Sequence, residues 1–361
     1  MENLISSLIV LPFLTALLAT AIATPISLIF LKKYKIIDDP KTRKHPAIIH
    51  SKPVPRGGGI PLFIGATVAG IIFLPINQIT GAIFLAGAIA LLTGILDDKY
   101  DISPYIRFLI NIFTAVIVVA AGISVNFITN PLGGILYLSG VGLPLTFIGL
   151  EGSILLSDIV TILWIVWVMN MLNWSKGVDG QMPGIVAISA IFIGIISLRF
   201  GVPDELARST TTLSFIIAGS ALGFLIYNFH PAKIFPGYGA TSIYLLLSVA
   251  SILSSAKLAT AILVMGVPLA DGAFTIGRRI LTGRSPFWHD KKHLHHLLLS
   301  LGFKQRRIAL FYWSISAIFG LISLFLSSRG KAFAIIMLVI VVGGALLFLN
   351  LILRKKNEKS S

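Results

Sequence analysis

Cysteine is absent from the 361 residues, which excludes disulfides and thiolate metal sites. Charge is scarce too: 12% of the residues are charged against 56% apolar, and the mean hydropathy is +0.92. A soluble domain has no use for so much apolar surface, and the uncharged runs reach membrane-spanning length. Acids are the rarer charged class, 14 Asp and Glu against 29 Lys and Arg, for a net charge of +15. Such an excess can mark a nucleic-acid binder. Here the bases sit between apolar runs, as membrane topology demands, and no nucleic-acid partner is expected. The first run, near 4–31, has no basic stretch ahead of it and is too long for a signal peptide, so it reads as a retained span.

What is present reads as an all-α integral membrane protein, one polytopic domain over 1–353 with a basic tail at 354–361. Eleven spans are expected, near 4–31, 60–76, 80–96, 108–127, 153–172, 184–200, 210–229, 240–254, 258–277, 309–327 and 332–353. With the loop 32–59 in the cytoplasm, the chain runs N-out, C-in. Only Arg199, Arg208, Lys257, Arg329 and Lys331 then fall outside, leaving 24 of the 29 bases inside, and the positive-inside rule selects this orientation. A cell-membrane (inner-membrane) location follows. The outer loop 128–152, rich in Gly, Leu and Pro, is expected to form a small β-hairpin at the outer face.

The polar segments gather on the cytoplasmic side. Asp97 and Asp98 end the apolar run 81–96, and Asp101 follows one turn on. Carboxylates at a membrane boundary are costly unless they hold a cation, pair with bases or face water. Hard oxygen ligands of this kind suit Mg²⁺; the alternative is that they cap a helix end or balance nearby bases. Lys44, Arg56 and the run Gly57-Gly58-Gly59 combine basic groups with exposed amides suited to phosphate, or make a simple positive-inside turn. Asn170 and Asn173, three apart, share a helix face ahead of Lys176 and Asp179. The loop 227–241 carries two prolines and two glycines. The last large loop holds Asp271, Arg278, Arg279 and a histidine run. In that run His289, His293 and His296 would share one face of a helix, a stripe that could bind Zn²⁺, phosphate or only solvent. All seven histidines lie on this side. A membrane location together with phosphate-type groups implies that one reactant is a lipid.

These residues resemble the polyprenyl-phosphate N-acetylhexosamine-1-phosphate transferases, the family of the lipid-I-forming translocase and of the initiators of O-antigen and teichoic-acid synthesis. The motifs are Asp39-Pro40 with Arg43-Lys44, Pro55-Arg56-Gly57-Gly58, Leu96-Asp97-Asp98 with Asp101-Ile102-Ser103, and Asn170…Asn173…Gly177-Val178-Asp179-Gly180. Asp271, Arg278-Arg279, Ser285-Pro286-Phe287 and His293-Leu294-His295-His296 complete the set. The likeness runs from Asp38 to Phe303, and its histidine motif is closer to the hexosamine-phosphate initiators. The resemblance implies that a polyprenyl phosphate attacks the β-phosphorus of a UDP-N-acetyl sugar, with Mg²⁺, giving polyprenyl-diphosphate-sugar and UMP. It implies Asp97 and Asp98 at the centre, as catalytic groups and, with Asp179, metal ligands. Asn170, Asn173, Lys176 and Asp179 would line the nucleotide-sugar pocket. Arg278, Arg279, His293, His295, His296, Lys44 and Arg56 would bind phosphate charge. The family often dimerises through its spans.

Two positions depart from the family's pattern. Lys176 stands where the family has Asp, and Tyr238, in Phe235-Pro236-Gly237-Tyr238-Gly239, stands where it has a metal-binding Asp. Tyrosine is neutral at pH 7, so Mg²⁺ binding should weaken. Three accounts are open: an enzyme in which Lys176 supplies positive charge, a relative that binds lipid phosphate or nucleotide without turnover, and a transporter. The last is disfavoured by an interior that holds few acids beyond Asp158.

Overall fold

The computed structural model describes residues 5–41, 50–130, 133–147, 150–198, 205–253, 258–288 and 290–358. Among the described residues, seven helices are long and apolar enough to cross a membrane: α1 (Ser6–Lys33), α3 (Gln78–Tyr100), α5 (Leu156–Trp174), α6 (Gln181–Leu198), α7 (Glu205–Asn228), α12 (Gln305–Phe325) and α13 (Ser328–Glu358, apolar to Leu353). Three shorter apolar helices are α2 (Gly59–Phe73), α4 (Pro104–Ala120) and α8 (Thr241–Leu253). The segment expected as one span over 258–277 is instead two helices, α9 (Leu258–Val264) and α10 (Gly266–Leu281), bent by 82°. Pro268 accounts for the break: in one continuous helix its ring would clash with the carbonyl of Val264 four residues back, and it has no N–H to give it. A short helix, α11 (Leu294–Ser300), precedes α12.

Apolar side chains cover the outside of α1, α3 and α13, where Ile22, Ile26, Ile29, Leu92, Phe333 and Phe348 are all exposed, as lipid contact requires. The inner helices are the reverse. In α8 the residues from Thr241 to Ser251 are all buried, so this short helix is a core element flanked by α3, α5 and α7. Buried hydroxyls lace the bundle: Thr20 Oγ1 donates to Ser220 Oγ at 3.0 Å, Ser220 Oγ to the Leu62 carbonyl at 2.6 Å, and Trp164 Nε1 to Ser251 Oγ at 2.9 Å. Away from water, each such group needs a partner, and together these bonds join α1, α2, α5, α7 and α8. Asp158, the interior acid, accepts from Ser124 Oγ at 2.6 Å and from the Leu155 amide at 3.1 Å. It is a cap on α5, not a station on a path.

Six short strands complete the described fold. At the far end of the bundle from the acidic pair, two antiparallel ribbons form where one hairpin was expected, β3 (Phe127–Thr129) with β4 (Ile135–Tyr137) and β5 (Gly142–Phe147) with β6 (Leu150–Leu155). On the opposite side, β1 (Ile37–Asp38) pairs with β2 (Val54–Pro55) and carries the chain to α2. The loop 229–240 then docks on this segment: the Phe235 amide donates to Pro55 O, the Gly58 amide to Phe235 O and the Gly59 amide to Pro236 O, each at 2.9 Å. Gly94 of α3 makes the close approach possible, because a Cβ there would strike the Gly239 backbone. Gly94→Val should therefore cost about 1–3 kcal/mol through overpacking. Gly81→Ala, in open space on the same helix, should be neutral or stabilising by up to about 1 kcal/mol. Thermal unfolding of the two variants in detergent checks the difference.

Candidate active site

Helix α3 continues through the acidic pair to Tyr100 and ends at Asp101, whose left-handed backbone (φ 54°) donates its N–H to Asp97 O at 2.8 Å. Asp97 and Asp98 therefore lie one turn inside the helix and do not cap it. Their side chains are fully buried, and each meets one arginine: Arg56 Nη2 is 3.1 Å from Asp98 Oδ1, and Arg107 Nη1 is 3.1 Å from Asp97 Oδ2. The Tyr238 amide also donates to Asp98, at 2.9 Å to Oδ1 and 3.1 Å to Oδ2. Asp98 is thus fully engaged, whereas Asp97 Oδ1 is buried with no hydrogen-bond partner among the described residues.

The loop 229–240 supplies the next layer. Lys176 Nζ donates to the Gly237 carbonyl at 2.7 Å and lies 5.9 Å from the centre of the Tyr238 ring; the Arg107 guanidinium lies 4.9 Å from the same centre. Asn111 Nδ2 donates to the Tyr238 hydroxyl at 3.0 Å. Burial lowers the Lys176 ammonium to about 8; Asp98 and Asp97 oppose the fall, and Arg56 and Arg107 add to it. Burial raises the Tyr238 phenol to about 12, so it stays a neutral hydroxyl. Asp179 is held beside this layer by His230 Nδ1 at 2.7 Å and the Ala232 amide at 3.1 Å, while its own amide donates to Gln305 Oε1 at 3.0 Å.

The histidines form the third wall. His293 is the residue ahead of α11, in extended backbone, so the expected helical stripe does not form, and His289 lies outside the described residues. His293, His295 and His296 are buried and cluster nonetheless, with ring centres 5.7 Å and 4.3 Å apart along the series. His293 Nδ1 is 2.9 Å from Asp271 Oδ2. Burial, then the neighbouring rings His296 and His293, pushes His295 well below the usual range; burial and His293 bring His296 down to about 4. Arg278 and Arg279 both grip Asp290, at 2.9 and 3.1 Å. Burial works to raise the Asp290 carboxyl, but the Lys292 amide and the two arginines outweigh it and hold the group below its ordinary range.

These groups meet around one cavity of about 390 Å³, lined by Arg56, Asp97, Arg107, Asn170, Asn173, Lys176, Asp179, Tyr238, Arg279, His293, His295 and His296, among others. Asp98 and Arg278 stand behind the wall as braces, and Lys44 lies outside the described residues. A model of glycosyl transferase family 4 matches residues 80–255, which includes Asp97, Asp98, Asn170, Asn173 and Asp179. The chain is 35% identical over 330 residues to the "Probable undecaprenyl-phosphate N-acetylglucosaminyl 1-phosphate transferase" of Bacillus subtilis, covering 89% of this chain and 85% of that protein. It is 31% identical to the decaprenyl-phosphate N-acetylglucosaminephosphotransferase of Mycobacterium tuberculosis, covering 83% and 79%. It is 28% identical to the undecaprenyl-phosphate alpha-N-acetylglucosaminyl 1-phosphate transferase of Thermotoga maritima, covering 92% and 95%. The chain belongs to this transferase family.

In this family member Arg107 on the cavity wall and Asn111, buried behind it against the Tyr238 hydroxyl, belong to none of the sequence motifs. Arg107 lies just ahead of the span expected from 108; Pro104 at the first helical position starts α4 four residues sooner. Arg107 and Asn111, at i and i+4 in an apolar run, were the available signal. The transferase's donor set was also expected to hold Mg²⁺. Among the described residues no three His, Asp or Glu side chains converge on a metal position. Asp98 is saturated, Asp179 Oδ2 is taken, and Asp97 Oδ1 stands among three cations that act on it, Arg107, Lys176 and Arg56. That set does not fit a protein-held dication. For the histidines, neutrality has a measurable sign: the folded His296 value lies below the unfolded one, so protonation opposes folding. Stability should fall as the pH drops from 6.5 toward about 4. Histidine NMR should show the His295 and His296 rings without a shift change between about pH 7 and 5.5.

Proposed function

We propose that the chain transfers an N-acetylhexosamine-1-phosphate, with N-acetylglucosamine as the leading sugar, from its UDP conjugate to a polyprenyl phosphate at the cytoplasmic face of the cell membrane. The observation that carries the reading is the cavity itself. It brings one carboxylate oxygen that has no partner among the described residues, Asp97 Oδ1, together with Arg56, Arg107, Lys176 and Arg279 at the end of a membrane helix. Its relatives' names, which specify a polyprenyl-phosphate acceptor and an N-acetylglucosamine phosphate, support the same substrates. Positive-inside topology supports the face.

The chemistry then follows from positions. An oxygen of the lipid phosphate attacks the β-phosphorus; a P–O bond forms there while the bond from that phosphorus to the bridging oxygen breaks, and UMP leaves with the electron pair. Little covalent work falls to the protein, so alignment and charge stabilisation dominate. Asp97 Oδ1 orients the attacking phosphate and takes its proton when it carries one. Asp98 is a positioning residue, tying the Arg56 segment and the Tyr238 loop to α3. Asn173 Oδ1, buried with no partner among the described residues, and Asn170 on the same face meet the nucleotide-sugar's donors. Neutral His295 and His296 serve as hydrogen-bond partners and not as cations. Phe287, packed edge-on to Tyr105 and Phe108 at 5.2 and 5.3 Å, gives the cavity an apolar side suited to a prenyl chain.

UMP release measured over a panel of UDP-N-acetylhexosamines with polyprenyl phosphate tests the reading. Release is expected with one sugar, falling by about 100-fold or more in Asp97→Asn. An absence of release with every sugar, alongside retained nucleotide binding, would assign the chain to the non-catalytic binders.

A further inference from the structure

The wall facing Asp97 is unusual in what it brings to a diphosphate. We propose that Arg56, Arg107 and Lys176, held around Asp97 and the Gly237-Tyr238 turn, form a fixed cationic centre that binds and neutralises the diphosphate in place of a divalent ion, so that this chain works without a protein-held metal. The inference rests on the transferase reading for its turnover arm only; the binding arm stands apart from it.

Three observations carry it. The first is local charge: three cations, Arg56, Arg107 and Lys176, meet two carboxylates, Asp97 and Asp98, an excess of one positive charge at this side of a cavity whose lining also includes Asp38, Asp101, Asp179 and Asp290. The second is donor capacity. Lys176 commits one N–H to Gly237 O and keeps two for phosphate oxygens, and Arg107 spends Nη1 on Asp97 while the rest of its fork remains. The third is Tyr238. A carboxylate at that position would pair with Lys176 and Arg107 and consume their charge. The neutral phenol instead lies against both cations through its ring face and is fixed by Asn111, so it positions them and leaves their charge available. Lys176 and Tyr238 thus act together: an ammonium replaces the ion, and the acid that would have held the ion is gone.

The test uses the full-length protein in nanodiscs, with UDP-N-acetylglucosamine and inorganic pyrophosphate as binding probes and UMP release as the turnover readout, each in EDTA and across a Mg²⁺ titration. Binding and turnover are expected to be the same in EDTA and in Mg²⁺. Lys176→Met should weaken both probes by about tenfold or more, with Lys176→Arg recovering most of the loss. Thermal unfolding identifies any variant that fails to fold. The double change Lys176→Asp with Tyr238→Asp should create a Mg²⁺ requirement for probe binding. Binding or turnover of the unaltered chain that vanishes in EDTA and returns with Mg²⁺ overturns the proposal and leaves the transferase reading intact. Lys176→Met binding both probes as tightly as the parent overturns it as well. Metal-independent, Lys176-dependent binding without any UMP release supports the cationic centre and overturns the transferase reading. No binding of either probe under any condition overturns both.

Discussion

The carboxylate of Asp98 is the knot on which the active-site end of this protein depends. It is buried at the last turn of a membrane helix, where an unpaired charge would be prohibitive, and both of its oxygens are used. One partner, Arg56, comes from the segment ahead of α2, and the other, the Tyr238 amide, from the loop ahead of α8. Those two segments also exchange backbone hydrogen bonds with each other, so a single side chain fastens three distant stretches of chain. The glycine contact between Gly94 and Gly239 lets the loop come close enough for this to happen.

Adjacent residues on a helix point about 100° apart. That geometry divides the acidic pair into two jobs. Asp98 faces the loops and is consumed by structure; Asp97 faces the cavity, gives one oxygen to Arg107 and presents the other. The same division recurs across the site. Arg278 braces Asp290 from behind while Arg279 reaches the wall, and Asp271 anchors His293 where it lines the space beside His295 and His296. A site meant for highly charged phosphates needs such rigidity, because charges that must reorganise when substrate arrives stabilise it less.

The membrane class, the order of polar segments and their gathering at one end of the bundle were legible from residue types alone, because hydrocarbon imposes long uncharged runs and leaves polar residues to the segments between them. Other features were not legible. The bend at Met265 depended on whether Pro268 would kink one helix or divide it into two, and tolerated prolines are common in membrane helices. The histidine spacing suggested a helical stripe, but His293 is spent as the residue ahead of α11, and the cluster forms by packing instead. Arg107 carried no motif and stood next to a misplaced boundary.

The sequence by itself determined an all-helical membrane protein with acids, amides, bases and histidines at one membrane face, and membership of a phosphate-transferring family could be read from motif order. It also exposed Lys176 and Tyr238 as unusual residues. Only the tertiary structure decided where those two residues lie and what they touch. Whether an ammonium and a phenol weaken a site or complete it depends on which oxygens are already taken and on which cations share the cavity. Those are distances between residues 56, 97, 107, 176 and 238, which no local pattern encodes.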